Sequence, residues 1–356
     1  MRRTLPANAN VAPEKRGARK DWSENMGSGA TVGALNYPAK YTFTTATASC
    51  SDYVAFNTGV SGSSGVQPTI VAYTNLYSGC GGSVPTVYWQ YNTAYPQGSS
   101  TGDGSFVPNS VVLSADGSQV AFVQNSSGVG ELVVLRWSSN PSQVEMDSSA
   151  NNVAPANYPS CGAPCMTLIP LAFSDTAFVT SPFYDYADDV MYVADDDGYL
   201  HQFTGVFLGT PAEVTSAPWP VLVDGAGNQL YSPVYGSGQG SVYLLDSNGV
   251  LDAVNVSTGA VTTSATIGFE EGLEYDAPLV DSVAGAVYAF VPLNAANERT
   301  AVVQFPYNFP SGSAGTEAKT NAINFMFLGD GAFDNAYFTS ATPGSPTGNL
   351  YLCCLD

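Results

Sequence analysis

The sequence predicts an all-β fold made of repeated four-stranded sheets, and three observations carry that prediction. Hydrophobic residues fill 44% of the 356 positions and charged residues only 11%, against the roughly 25% charged that is usual for a soluble domain. The chain is also punctuated by 36 glycines and 23 prolines, which break helices and favour strands joined by tight turns. Finally, short runs rich in valine and tyrosine recur between Asp-Gly, Asn-Gly and Thr-Gly turns. The one candidate for a helical period, in the tail, carries proline and glycine throughout.

The repeat can be followed in order. The first unit runs from Lys40-Tyr-Thr-Phe through Tyr53-Val-Ala-Phe-Asn and Thr69-Ile-Val-Ala-Tyr to Thr86-Val-Tyr-Trp-Gln-Tyr. The second takes in Pro108-Asn-Ser-Val-Val-Leu, Gln119-Val-Ala-Phe-Val-Gln and Glu131-Leu-Val-Val-Leu-Arg-Trp. The third opens at Thr180-Ser-Pro-Phe-Tyr-Asp-Tyr and continues with Asp189-Val-Met-Tyr-Val-Ala-Asp and Gly198-Tyr-Leu-His-Gln-Phe. The fourth pairs Tyr231-Ser-Pro-Val-Tyr-Gly with Ser241-Val-Tyr-Leu-Leu-Asp and Gly249-Val-Leu-Asp-Ala-Val. The fifth pairs Asp276-Ala-Pro-Leu-Val-Asp with Ala286-Val-Tyr-Ala-Phe-Val and Thr300-Ala-Val-Val-Gln-Phe. A sixth starts at Asn335-Ala-Tyr-Phe-Thr and stops after Asn349-Leu-Tyr-Leu-Cys-Cys.

Periods of about 45 to 75 residues of this kind are those of β-propeller blades. Such a sheet cannot bury both faces alone, so neighbours stack around an axis. An array of β-sandwiches is the rival, but it requires strands that alternate apolar with polar, and VMYVA, SVYLL and AVYAF do not. The expectation is a basic, disordered leader over 1–39 and a propeller over 40–356, with five complete blades and a partial sixth. A ring closes by borrowing a strand from the opposite terminus, and none is on offer. The pattern therefore predicts a truncated last blade and a six- or seven-bladed full-length ring.

Charge is distributed unevenly. Six of the ten basic residues fall within the first twenty positions, and from residue 40 onward Lys40, Arg136, Arg299 and Lys319 face 27 carboxylates, a balance of −23. Such a body repels phosphate backbones and anionic membranes, so nucleic acid is an unsuitable partner. No run of 18 apolar residues offers a transmembrane segment, and the N-terminus lacks the apolar region of a signal peptide. The six cysteines suggest disulfides: Cys161 with Cys165 across a proline-rich loop, and Cys50 with Cys80 within one repeat. Free thiols are the alternative. A zinc site is poorly supported by a C-x3-C spacing with a single histidine.

The segments DWSENMGSGATVGALNYPAKYTF, TSPFYDYADDVMYVADDDGYLHQFTGVF, TPAEVTSAPWPV, YSPVYGSGQGSVYLLDSNG and APLVDSVAGAVYAF resemble a group of uncharacterised secreted propeller proteins of environmental bacteria. More distantly, they are similar to quinoprotein-like propeller repeats. The resemblance spans about residues 21 to 356 and implies fold far more than function. It also implies an export signal ahead of Asp21-Trp22-Ser23 and a further strand pair after Asn349, hence a secreted or periplasmic, cell-surface location.

Candidate site residues follow from local chemistry. Asp195-Asp196-Asp197-Gly198 offers oxygens for Ca²⁺, although aspartate favours turns without any ligand. Asp188 and Glu271 are the loop carboxylates that a glycoside hydrolase or lyase would use. His201, on a third strand, is read as structural, since no nucleophile motif accompanies it. Trp89, Tyr184, Tyr186 and Trp219 are the aromatics placed to stack on a sugar or anchor a protein; most of the aromatic set is expected in the core. Two basic residues in the body besides the lysines exclude the arginine clamp of sialidases. The resulting expectation is a monomeric, non-enzymatic scaffold, without a required cofactor, that binds a glycan or protein through its loops. The alternatives are a carbohydrate-active enzyme and a fragment without independent function.

Overall fold

The computed structural model describes residues 24–26, 29–30, 37–44, 47–62, 68–77, 79–81, 85–93, 106–126, 128–139, 151–172, 180–225, 227–269, 275–320, 327–329, 331–340, 347–352 and 354–355. Among them the chain forms five antiparallel meanders in strict sequence order. Sheet one comprises Ala39–Tyr41, Tyr53–Asn57, Ile70–Thr74 and Thr86–Tyr91. Sheet two comprises Val112–Leu113, Gln119–Ser126, Val129–Arg136 and Cys165–Pro170. Sheet three comprises Phe183–Asp185, Val190–Ala194, Tyr199–Thr204 and Ala212–Glu213, with Val221–Leu222 also paired to its third strand. Sheet four is Val234–Gly236, Ser241–Leu245, Leu251–Asn255 and Val261–Thr263, and sheet five is Leu279–Asp281, Ala286–Val291, Ala301–Pro306 and Thr316–Lys319. Two short pairs follow: Phe327–Leu328 with Cys354–Leu355, and Ala332–Phe333 with Leu350–Tyr351.

The apolar second strands explain how the sheets associate. Side chains alternate between faces along a strand, so a run that is apolar throughout presents a hydrophobic surface on both sides. Met191 and Val193 pack toward sheet two with Ala121, Val123, Leu132 and Val134, whereas Tyr192 and Ala194 pack toward sheet four with Val242 and Leu244. The same holds at the other joints. Sheets one and two share a core around Trp89, Tyr91 and Phe122, and sheets four and five share one around Tyr243, Leu251 and Phe305. Leu328, Leu350 and Leu352 continue the series against Phe290 and Val302 of sheet five. Each of these cores is thus common to consecutive sheets, while Val54, Val71, Tyr73 and Leu76 form a smaller cluster on the other face of sheet one.

Two local expectations are corrected. Cys161 and Cys165 do not share one loop: Pro155–Ser160 forms a 3-10 turn and Cys165 opens the fourth strand of sheet two. Asn335–Phe338 is a single helical turn rather than a strand, because Asp334 caps it by accepting the Tyr337 N–H at 2.9 Å. The strand of that unit is Ala332–Phe333, just before the cap. Both disulfides are formed, Cys50–Cys80 and Cys161–Cys165.

Candidate functional site

A four-stranded meander reverses direction at every turn. The entry into each first strand and the turn between second and third strands therefore lie at the same end of a sheet. At this entry end the sheets meet. First strands of sheets one and two, three and four, and four and five lie against one another. Ser181-Pro182, Ser232-Pro233 and Ala277-Pro278 lead into three of them, and the proline ring holds each approach extended. The Tyr37 N–H donates to Ser110 Oγ (2.7 Å), and the Ser110 N–H donates to Ser181 Oγ (3.1 Å). The Tyr37 hydroxyl donates to Asp276 Oδ2 (2.9 Å), a contact across 239 residues that joins sheet one to sheet five.

The turns at this end are closed by a recurring side chain. Asn57, Asn125, Asp195, Asp246 and Asn294 are all buried at, or within three residues beyond, the ends of second strands. Their Oδ1 atoms accept the N–H of Gly59 (2.8 Å), Gly128 (3.2 Å), Tyr199 (2.8 Å), Val250 (3.1 Å) and Glu298 (2.9 Å) respectively. An Asx side chain mimics a backbone turn in this way and satisfies groups that burial would otherwise strand.

In sheet three this device extends into a buried clasp. His201 lies opposite Val193 and is completely buried. Its Nε2 meets Asp195 Oδ2 at 3.1 Å and its Nδ1 meets Glu213 Oε1 at 2.7 Å. Glu213 Oε2 in turn accepts the Ala172 N–H at 2.7 Å, from the chain leaving sheet two. Burial by itself would depress the imidazole pKa. The hydrogen bonds to both carboxylates and their charges outweigh it, holding the ring protonated above its ordinary range. Both ring nitrogens are occupied, so the imidazole offers no lone pair to a substrate and acts as a tie between sheets two and three.

The residues singled out in the sequence are scattered by the fold. Trp89 is fully buried and stacks on Trp137 with ring centroids 6.1 Å apart. Trp219 donates its indole N–H to Val256 O (3.1 Å), and Tyr184 donates its hydroxyl to Asp189 Oδ1 (2.7 Å). Both are at most 6% exposed. Trp89 and Tyr184 from their strands, and Trp219 from the connection before Val221–Leu222, turn these three rings into the cores, which corrects their assignment as ligand-facing. Tyr186 alone of the four is open, at 55% exposure, on the first hairpin of sheet three, at the end away from the entries. Asp188 is exposed on that same hairpin; Glu271 lies outside the described residues. Asp195 is committed to its turn and to His201, and no trio of His, Cys, Asp or Glu among the described residues is grouped to hold a metal ion.

What the sequence reading missed are Tyr37, Ser110, Ser181 and Asp276 as one meeting point, and Glu213 as the partner of His201. The repeated Ser-Pro and Ala-Pro approaches carried a signal for the first. Glu213 had none, because its proximity arises only from strand register. No model of a known protein family matches the chain, and no curated protein sequence is significantly similar to it.

Proposed function

We propose that the chain is a secreted, non-enzymatic β-propeller scaffold that binds a neutral glycan at its entry end. The observation that carries the reading is the Tyr37–Asp276 hydrogen bond, with Ser110 and Ser181 beside it. Entries to the first strands converge when sheets are set radially, with first strands innermost. Hydroxyls, a carboxylate and an open ring are then gathered at one spot. Tyr37 is 44% exposed there, and Phe269, paired to Leu293 at the same end, is 41% exposed. Aromatic faces stack on sugar rings while hydroxyls and carboxylates bond their edges. The balance of −23 from residue 40 onward argues against polyanionic ligands. The two disulfides suit an oxidising, extracellular setting.

The test is thermal unfolding against a panel of neutral soluble polysaccharides. A ligand at about 100 times its Kd should stabilise the fold by about 2.7 kcal/mol. We expect one polysaccharide to raise the midpoint, and Tyr37→Ala to abolish that rise while Tyr186→Ala preserves it. A cooperative melt that no polysaccharide moves would overturn glycan binding. Release of reducing ends would overturn the non-enzymatic reading.

A further inference from the structure

The described residues hold few cations, and none is available between sheets three and four. Lys40 belongs to sheet one, Arg136 to sheet two, and Arg299 and Lys319 to sheet five. His201 is engaged by Asp195 and Glu213 on the face toward sheet two. Yet three carboxyl groups gather at the joint of sheets three and four. Asp252 sits on the third strand of sheet four opposite Leu244, on the face shared with Val242 and Val254, and is 1% exposed. Its Oδ1 accepts the Thr263 hydroxyl at 2.6 Å, and its Oδ2 has no hydrogen-bond partner. Asp246, also 1% exposed, closes the turn of the same sheet and accepts the Asn248 and Val250 N–H groups. Asp224 comes from the connection leaving sheet three and accepts Gly225 N–H (2.7 Å) and the amides of Asn228 (2.9 Å) and Asn248 (2.5 Å). The Asn248 amide donates to Asp246 Oδ2 as well (3.3 Å), so one side chain draws the Asp224 and Asp246 carboxyl groups together.

A buried carboxylate with no cation beside it and one oxygen left unpartnered is so costly that the group takes up a proton instead. Two carboxyl groups held close together likewise share one proton. We propose that protons held by Asp252 and by the Asp246–Asp224 pair lock the joint between sheets three and four, and that the joint loosens as the medium turns alkaline. The groups facing Asp252 fit this. They are Thr263 from the fourth strand, Asp246 from the adjacent turn and Asp224 from the sheet-three connection, none of them cationic.

Burial, reinforced by the charges of Asp246 and Asp224, pushes Asp252 up to about 7. Burial and the bond to Asp224 push Asp246 up to about 6. Both folded-state values lie above the unfolded one, so the native chain holds protons that the unfolded chain releases. Their stabilisation is present below the unfolded values near pH 4 and is lost as pH rises through 6 to 7, whereas Asp224, held below its ordinary value by its hydrogen bonds, contributes only above pH 4. The device suits a protein that works in a mildly acidic medium.

The experiment is the unfolding midpoint of the whole chain at intervals from about pH 5 to 8.5. Wild type should gain stability as pH falls across this range. Asp252→Asn, which keeps the Thr263 contact and is neutral throughout, should flatten the slope and raise the midpoint at pH 8 by a few degrees. Glu24→Gln, at an exposed carboxylate, should retain the wild-type slope and so separates the joint from general charge repulsion. A flat wild-type profile, or an Asp252→Asn profile parallel to wild type, would overturn the proposal. Infrared spectra of wild type labelled with carboxyl-¹³C aspartate decide the matter without any variant. A native protonated-carboxyl band at pH 6 that fades by pH 8.5 supports the lock, and its absence at pH 6 refutes it.

Discussion

His201 and Asp252 occupy equivalent positions, each on a third strand and paired across to the residue two before a turn-closing aspartate, Asp195 or Asp246. Sheet three fills the position with a cation between two carboxylates; sheet four fills it with a third carboxyl group. The consequences differ on mutation. His201→Gln leaves Asp195 and Glu213 buried without their charge partner, a loss of about 3–5 kcal/mol, read by denaturant titration near pH 6. The imidazole is held above its ordinary pKa, so its contribution is complete below about pH 6.5 and disappears as pH rises through the folded value. The penalty should therefore shrink in alkaline buffer. Trp89→Ala empties a site in the core of sheets one and two and should cost about 3–5 kcal/mol. By contrast, Tyr186→Ala removes a half-exposed ring and its hydroxyl bond to the Leu113 carbonyl (2.8 Å), and should cost no more than about 1 kcal/mol by the same titration.

Turns and strands account for what could be read in advance. Gly249 has φ +71°, and a Cβ there would lie 1.9 Å from the Gly268 carbonyl oxygen. Gly249→Ala should accordingly destabilise by more than 1 kcal/mol, since backbone must move as well as adopt a strained conformation. Opening Cys50–Cys80 by a double serine substitution releases a loop of 30 residues and should cost about 3–4 kcal/mol on the loop-entropy account. The five-residue window at Cys161–Cys165 should cost less, about 2 kcal/mol. The second strands were legible in the sequence because burial on both faces demands unbroken apolar runs such as Val190–Ala194. The fourth strand of sheet five was not, since Thr316–Lys319 is exposed along its whole length and bears no apolar pattern. The helical turn at Asn335–Phe338 was hidden because its decisive feature is one cap hydrogen bond from Asp334. Of the site, His201 and Asp195 could be picked out singly, but their union with Glu213 depends on a register that only the folded sheet establishes.

At the scale of the whole molecule, the four largest cores each belong to two consecutive sheets, so stability is largely a sum over neighbouring joints. Damage at one joint should be felt mainly by the two sheets that form it. Hydrogen exchange on Trp89→Ala should then show lost protection in sheets one and two while sheets four and five keep theirs. The scarcity of cations has another outcome, in the hands of anyone handling the protein. The four sites at which trypsin cleaves between residues 40 and 356 follow Lys40, Arg136, Arg299 and Lys319. Three of these residues are within strands and the other, Arg299, lies two residues before one. Cleavage there must await local opening, so limited digestion should trim the arginine- and lysine-rich first twenty residues and spare the rest. Amine-directed dyes and cross-linkers meet the same restriction: beyond residue 20 they find only two lysine side chains to modify.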